Sequence, residues 1–75
     1  MDTYIHIRKF DSAGKPVGWD NYSDAVKFER LPNHNEYFSL AHDQYFKVIL
    51  VVTNNFTGAK YPYEIFAEPT ALERN

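Results

Sequence analysis

The longest coherent pattern in the chain runs from Tyr45 to Thr53, where aromatic and branched aliphatic residues are interrupted only by Lys47 and closed by Thr53. Such composition suits a pleated, half-buried surface, so the run predicts a strand. Side chains alternate along a strand. Phe46, Val48, Leu50 and Val52 are therefore expected on the core face, with Tyr45, Ile49 and Val51 on the other. Both faces are apolar. A small open sheet needs only one such face, so something must cover the second: another segment, a twin or a partner.

The neighbours of this run are also strand-like. In Glu36–Leu40, Phe38 and Leu40 share a face, and Ala41-His42-Asp43-Gln44 reads as a turn. A second turn, Asn54–Ala59, contains Asn and Gly residues that tolerate left-handed geometry. Lys60–Glu68 then alternates, with Tyr61, Tyr63, Ile65 and Ala67 inward and Lys60, Glu64 and Glu68 toward water. Pro62 lacks an N–H and must sit at an edge or a bulge. Residues 36–68 thus predict a three-stranded antiparallel meander with 45–53 in the middle. At the N-terminus, Tyr4–Phe10 predicts a strand, Asp11–Pro16 a turn and Val17–Trp19 a short return strand.

Residues 20–32 fit two templates. Ser23 could cap a helix ending before Pro32, with Ala25, Phe28 and Leu31 on one side. Alternatively, Val26 and Phe28 alternate with Lys27 and Glu29 as a strand entering the turn Pro32–Asn35. The strand is favoured, since Val, Phe and Tyr are mediocre helix formers in so short a segment. Residues 69–75 read either as a final helical turn, with Thr70 and Glu73 matching a capping box, or as a frayed tail. The expected fold is one all-β domain over 1–75, a small five-stranded antiparallel SH3-like partly open barrel. The alternative is α+β, with a short helix at 23–31 on a four-stranded antiparallel sheet.

Composition narrows the setting. A chain of 75 residues buries a thin core, but 44% hydrophobic and 17% aromatic residues allow one without staples. The chain has no cysteine, which removes disulfides and thiolate chemistry and points to an intracellular, cytoplasmic protein. No basic segment followed by an apolar one marks a signal peptide at Met1–Tyr4. Net charge is −2 with scattered basic residues, whereas phosphate-binding surfaces cluster Lys and Arg.

Catalytic signals are sparse. His6, His34 and His42 have no ligand spacing, so no metal or other cofactor is expected. No serine lies in a nucleophile elbow, and no pair of carboxylates is placed where burial would tune it, so no catalytic residues are assigned. Gly14-Lys15 lacks the rest of a phosphate loop and reads as a hairpin turn. Asn21-Tyr22-Ser23 and Asn55-Phe56-Thr57 match a glycosylation acceptor pattern but are read as turn chemistry.

The aromatic residues carry the functional reading. Tyr, Trp and Phe are enriched at protein interfaces and need no accompanying charge there. Tyr45, Ile49 and Val51 on the second face, with Tyr37 and the turn-tip residue Phe56, are the candidate partner-binding residues. The expected function is a non-enzymatic protein-interaction module that binds a protein partner or itself as a homodimer. An accessory subunit or inhibitor fits the small size, for instance one encoded by a phage or mobile element. The alternative is a nucleic-acid or nucleotide binder that stacks bases on sheet aromatics such as Tyr4 and Phe10, with Arg8, Lys9, Lys47 and Lys60 as phosphate contacts.

Overall fold

The computed structural model describes residues 2–21 and 24–70. They form β1 (Asp2–Phe10), β2 (Pro16–Asn21), β3 (Val26–Lys27), β4 (Tyr37–Ala41), β5 (Gln44–Thr53) and β6 (Tyr63–Thr70). The fold is all-β, and no helix occurs among the described residues. The strands lie in one sheet, ordered β2-β1-β6-β5-β4, with β3 added beside the start of β1. The β4–β5–β6 meander and the β1–β2 hairpin are antiparallel, as the alternation predicts.

Three expectations are corrected. First, the sheet is mixed rather than antiparallel throughout, because β1 runs parallel to β6, with Ile5 opposite Ile65 and Ile7 opposite Ala67. It has six strands rather than five and is not closed: β2 and β4 are opposite edges. The SH3-like barrel is thus replaced by an open sheet. Second, no helix forms over 24–31. Two residues there pair with β1, and the chain then crosses the core face to reach β5, where Asn35 N–H donates to the Val48 carbonyl and Val48 N–H donates to that of Glu36, both at 2.9 Å. Val26, Phe28 and Leu31 on this strap pack against the core, and Pro32 is buried. Third, Pro69 and Thr70 complete β6 instead of starting a tail or helical turn, and Pro69 lies past the last residue that β1 pairs with. The Ser23 cap and the tail from 71 fall outside the described residues.

The core is Ile5, Phe46, Val48, Ile65 and Ala67, with Thr3 also fully buried. Phe46 and Val48 lie there as expected, but Leu50 and Val51 exchange places, and Val52, also expected inward, joins the outer row beside Glu64. Val48 pairs with Ala67 and Leu50 with Phe66, neighbouring residues of β6, so Ile49 is an extra, bulged residue. A bulge shifts the phase of alternation by one. Val51 is consequently packed against the core, whereas Leu50 faces out at 51% exposure.

Turns are set by local chemistry. Asp11 accepts hydrogen bonds from the N–H groups of Ala13 and Lys15 at 2.9 Å, and Gly14 takes a φ of 80°. Asp43 occupies the left-handed region in the β4–β5 turn, a conformation that Asp and Asn tolerate best among residues with a Cβ. At the end of the strap, the Glu36 carboxylate accepts from Asn33 N–H at 2.6 Å and faces Arg30 at 3.4 Å. These two partners, Asn33 first, hold the Glu36 carboxyl below its ordinary value.

Candidate functional site

The strap covers one face of the sheet. On the other, strand register lines side chains up in rows across the strands. One row is Ser39, Tyr45 and Thr70; the next is Tyr37, Lys47 and Glu68, continued on the far side by Arg8 and Trp19. Beyond the Ile49 bulge comes Leu50, Phe66, His6 and Asn21, and then Val52, Glu64 and Tyr4. No second layer of strands packs on this outer face among the described residues.

Its aromatic rings form a connected chain. Tyr61, expected inward on a strand, instead precedes β6 and stacks on Tyr4 at 4.7 Å between centroids, and Tyr4 meets the His6 ring edge-on at 4.9 Å. His6 stacks on Phe66 at 4.2 Å, and Phe66 meets Trp19 edge-on at 5.1 Å. A cation sits over each end: Lys60 over Tyr61 at 5.4 Å and Arg8 over Trp19 at 4.9 Å. Offset or edge-to-face ring pairs are each worth about 0.5–1.5 kcal/mol beyond their buried area, so the chain stiffens the face.

His6 stands at the centre. Its Nε2 lies 2.8 Å from Glu64 Oε1, and its Nδ1 meets the side-chain oxygen of Asn21. The Asn54 amide donates to Glu64 Oε2 at 2.9 Å and to the Tyr61 carbonyl at 2.8 Å. The Asn54 amide first, and then the His6 ring, hold the Glu64 carboxyl below its ordinary value of 4.5. Both ring nitrogens of His6 are thus engaged within the fold. Among the described residues, no group of three or more His, Cys, Asp or Glu side chains comes together as a metal site.

The structure divides the expected partner-binding residues. Tyr37 and Tyr45 do lie on the outer face, at its β4 edge, where they border a shallow hollow with Phe38 and Ser39. Phe56 stays at the loop tip, 66% exposed, and does not fold back over the sheet. Ile49 is the bulged residue, and Val51 belongs to the core side. The alternative cations do not form one patch. Arg8 and Lys47 share the outer face, but Glu68 stands between them, 4.0 Å from Arg8 and paired opposite Lys47. Lys9 faces Asp20 at 3.6 Å, and Lys60 lies in the loop after β5. Tyr4 is taken up in the ring chain instead of standing free for a base.

His6, Leu50, Phe66, Trp19 and Glu64 were not singled out from the sequence. One signal was present: His6 and Arg8 on one strand have the same parity as Glu64, Phe66 and Glu68 on another, which brings the imidazole and the guanidinium each to a carboxylate once the strands are neighbours. Comparison with protein-family models, with curated proteins and with solved structures returns no match to this chain. No described helix is long and apolar enough to cross a membrane.

Proposed function

We propose that this chain is a small non-enzymatic protein-interaction module that docks a protein partner on the outer face of its sheet. One observation carries the reading: the Ile49 bulge turns Leu50 outward, beside Phe66 and in the plane of Trp19 and Tyr37. Leu50 and Tyr37 are about half exposed, at 51% and 52%, although a one-residue change of phase would have buried Leu50. Rigid aromatics with a polar surround are the usual anatomy of a protein-binding patch. Engagement of both His6 nitrogens argues against that ring as a general base, because neither is free to take a substrate proton. An accessory subunit or an inhibitor works through such a surface alone.

The test is capture of a partner by the tagged chain, identification of that partner, and reconstitution from purified components. Leu50→Asp should abolish the reconstituted complex, and Phe56→Asp, at the distant loop tip, should leave it intact. A complex indifferent to Leu50→Asp refutes the outer-face reading. Retention of single-stranded RNA or DNA at low salt, lost steeply as salt rises, would favour the nucleic-acid alternative instead.

A further inference from the structure

The two edges of the sheet are not alike. Exposed edges invite pairing with another strand, and proteins guard them with proline, charge or irregular backbone. On β2 all three guards are present: Pro16, Asp20, and Gly18 at a φ of 142°. Within β4, Tyr37-Phe38-Ser39-Leu40-Ala41, there is no proline, glycine or charged residue. Its one irregularity is the register shift between Ser39 and Ala41, which limits the regular edge to its first half.

Register shows which backbone groups are free. Val48 N–H donates to the Glu36 carbonyl, so the Glu36 backbone faces β5. Along a strand these groups alternate in direction, so Phe38 also faces β5 while Tyr37 and Ser39 point their N–H and C=O groups away from the sheet. A partner strand must therefore supply the same two-residue spacing in reverse.

We infer that β4 pairs with β4 of a second copy of this chain, antiparallel, about a twofold axis through Phe38. Tyr37 then lies opposite Ser39 of the second copy, and each pair exchanges both backbone hydrogen bonds. The side chains match this register. Ser39 is the small residue between Tyr37 and Tyr45 on the outer face, and the hollow that these residues border with Phe38 accepts the second copy's Tyr37 ring. On the core face Phe38 opposes Phe38 of the second copy, in the narrow kind of pair whose Cα atoms are about 4.5 Å apart. Phe38 is only partly buried, against Phe28 at 5.7 Å and Phe46 at 5.5 Å, so the second ring extends an existing cluster. No like charges face each other across the regular stretch. In this register the segment itself supplies what its edge accepts, a tyrosine ring for the hollow beside Ser39 and a phenylalanine for the Phe28–Phe38–Phe46 cluster, which favours a second copy. The inference rests on the reading of the chain as an interaction module and names a partner for its β4 side. An edge contact this short falls below the roughly 1,200 Å² of stable complexes, so the dimer is weak and concentration-dependent.

Sedimentation velocity on the purified chain, over a series reaching the millimolar range, should show the mass rising from monomer toward dimer. Over the same series, amide exchange at Tyr37 and Ser39 should slow, while Phe38, already bonded to β5, should not change. Ser39→Pro removes an outward N–H without touching the internal ladder, and Ser39→Lys puts a charge into the hollow. Each should remain monomeric with an unchanged circular dichroism spectrum, the lysine variant serving if the proline variant does not fold. A monomer at every concentration, a dimer retained by Ser39→Lys, or concentration-dependent protection at Val17 and Trp19 on β2 instead would overturn the assignment. Leu50→Asp should leave the dimer intact, so loss of the outer-face complex and loss of self-pairing are read separately.

Discussion

The bulge at Ile49 makes opposite demands on two adjacent residues, and substituting each by aspartate measures them. Fully burying a Leu or Val side chain is worth about 1.5–3 kcal/mol. Leu50 keeps 51% of its surface in water. Leu50→Asp therefore forfeits about half of that value, roughly 1 kcal/mol, plus a few tenths for the poorer strand propensity of Asp. Its charge stays hydrated. Val51 is packed against the core and stands opposite Ile65, which is fully buried. Val51→Asp loses most of a valine's transfer energy and also sets a carboxylate, partly out of water, against the apolar core cluster, a further cost of about 2 kcal/mol or more. Domains have about 0.05–0.15 kcal/mol of stability per residue, so a chain of this size holds roughly 4–11 kcal/mol. Leu50→Asp should fold, with its urea midpoint lowered modestly and its m-value unchanged, followed by circular dichroism and Trp19 fluorescence. Val51→Asp should be unfolded or close to it in water. Unbroken alternation predicts the reverse order. A Leu50→Asp variant less stable than Val51→Asp would refute the bulge and, with it, the outer face as drawn.

Three further outcomes follow from local geometry. The carboxyls of Glu64 and Glu36 are held below 4.5 in the folded chain. The stability they contribute is complete above that value and is lost as pH falls through the lower folded value, so Tm should decline in the acid range below about 4.5. Thermal melts of Glu64→Gln should show a lower Tm at neutral pH and a shallower acid decline; a decline as steep as in the unaltered chain would contradict the assigned hydrogen bonds. Gly18 sits at a φ of 142° with no atom within 4 Å of an added Cβ, so Gly18→Ala meets backbone strain alone and should cost about 1–3 kcal/mol in denaturant unfolding. Ile5 is fully buried at the β1–β6 junction, and Ile5→Ala should cost about 2–5 kcal/mol by the same measurement, against a near-neutral Val17→Ala on the exposed edge.

What the sequence reveals of this fold is what lies close along the chain. The meander and the N-terminal hairpin are legible because turn residues such as Gly14, Asp43 and Gly58 punctuate alternating runs. The parallel contact between β1 and β6 is not, since it joins residues 60 apart in number, and no local pattern states which strands become neighbours. The bulge is hidden for another reason. Val48 to Val52 are all aliphatic, so no polar residue marks the phase, and a shift of one costs the pattern nothing. That one shift displaced Leu50, Val51 and Val52 from their expected faces. The strap is ambiguous because it makes few regular hydrogen bonds of its own: Phe28, Leu31 and Pro32 are held by packing, which neither helix nor strand periodicity encodes. Tyr37 and Tyr45 were accessible to sequence reasoning as surface aromatics. His6 was not, because its partners Asn21 and Glu64 reach it only through the sheet.

The charged row through the outer face decides how that face can be used. Lys47, Glu68 and Arg8 alternate in sign across the centre, between the Ser39–Tyr45 row and the Leu50–Phe66 row. A permanent second layer would strip water from all three, and desolvation of such groups offsets most of what their mutual attraction returns. The face is thus better suited to a partner that covers the Leu50 strip and leaves the charged row partly wet. Pairing at β4 is compatible with this, because it uses backbone groups at the edge and leaves Leu50, Phe66 and Trp19 open. A twofold axis normal to the sheet also keeps each face on its own side. Two copies joined at β4 would then present two Leu50 strips in one plane, and a partner with repeated sites would engage both. The second engagement is intramolecular and raises avidity with no new contact. A partner that binds the unaltered chain more tightly than Ser39→Lys, while a single isolated site binds both equally, would show the edge and the face working together.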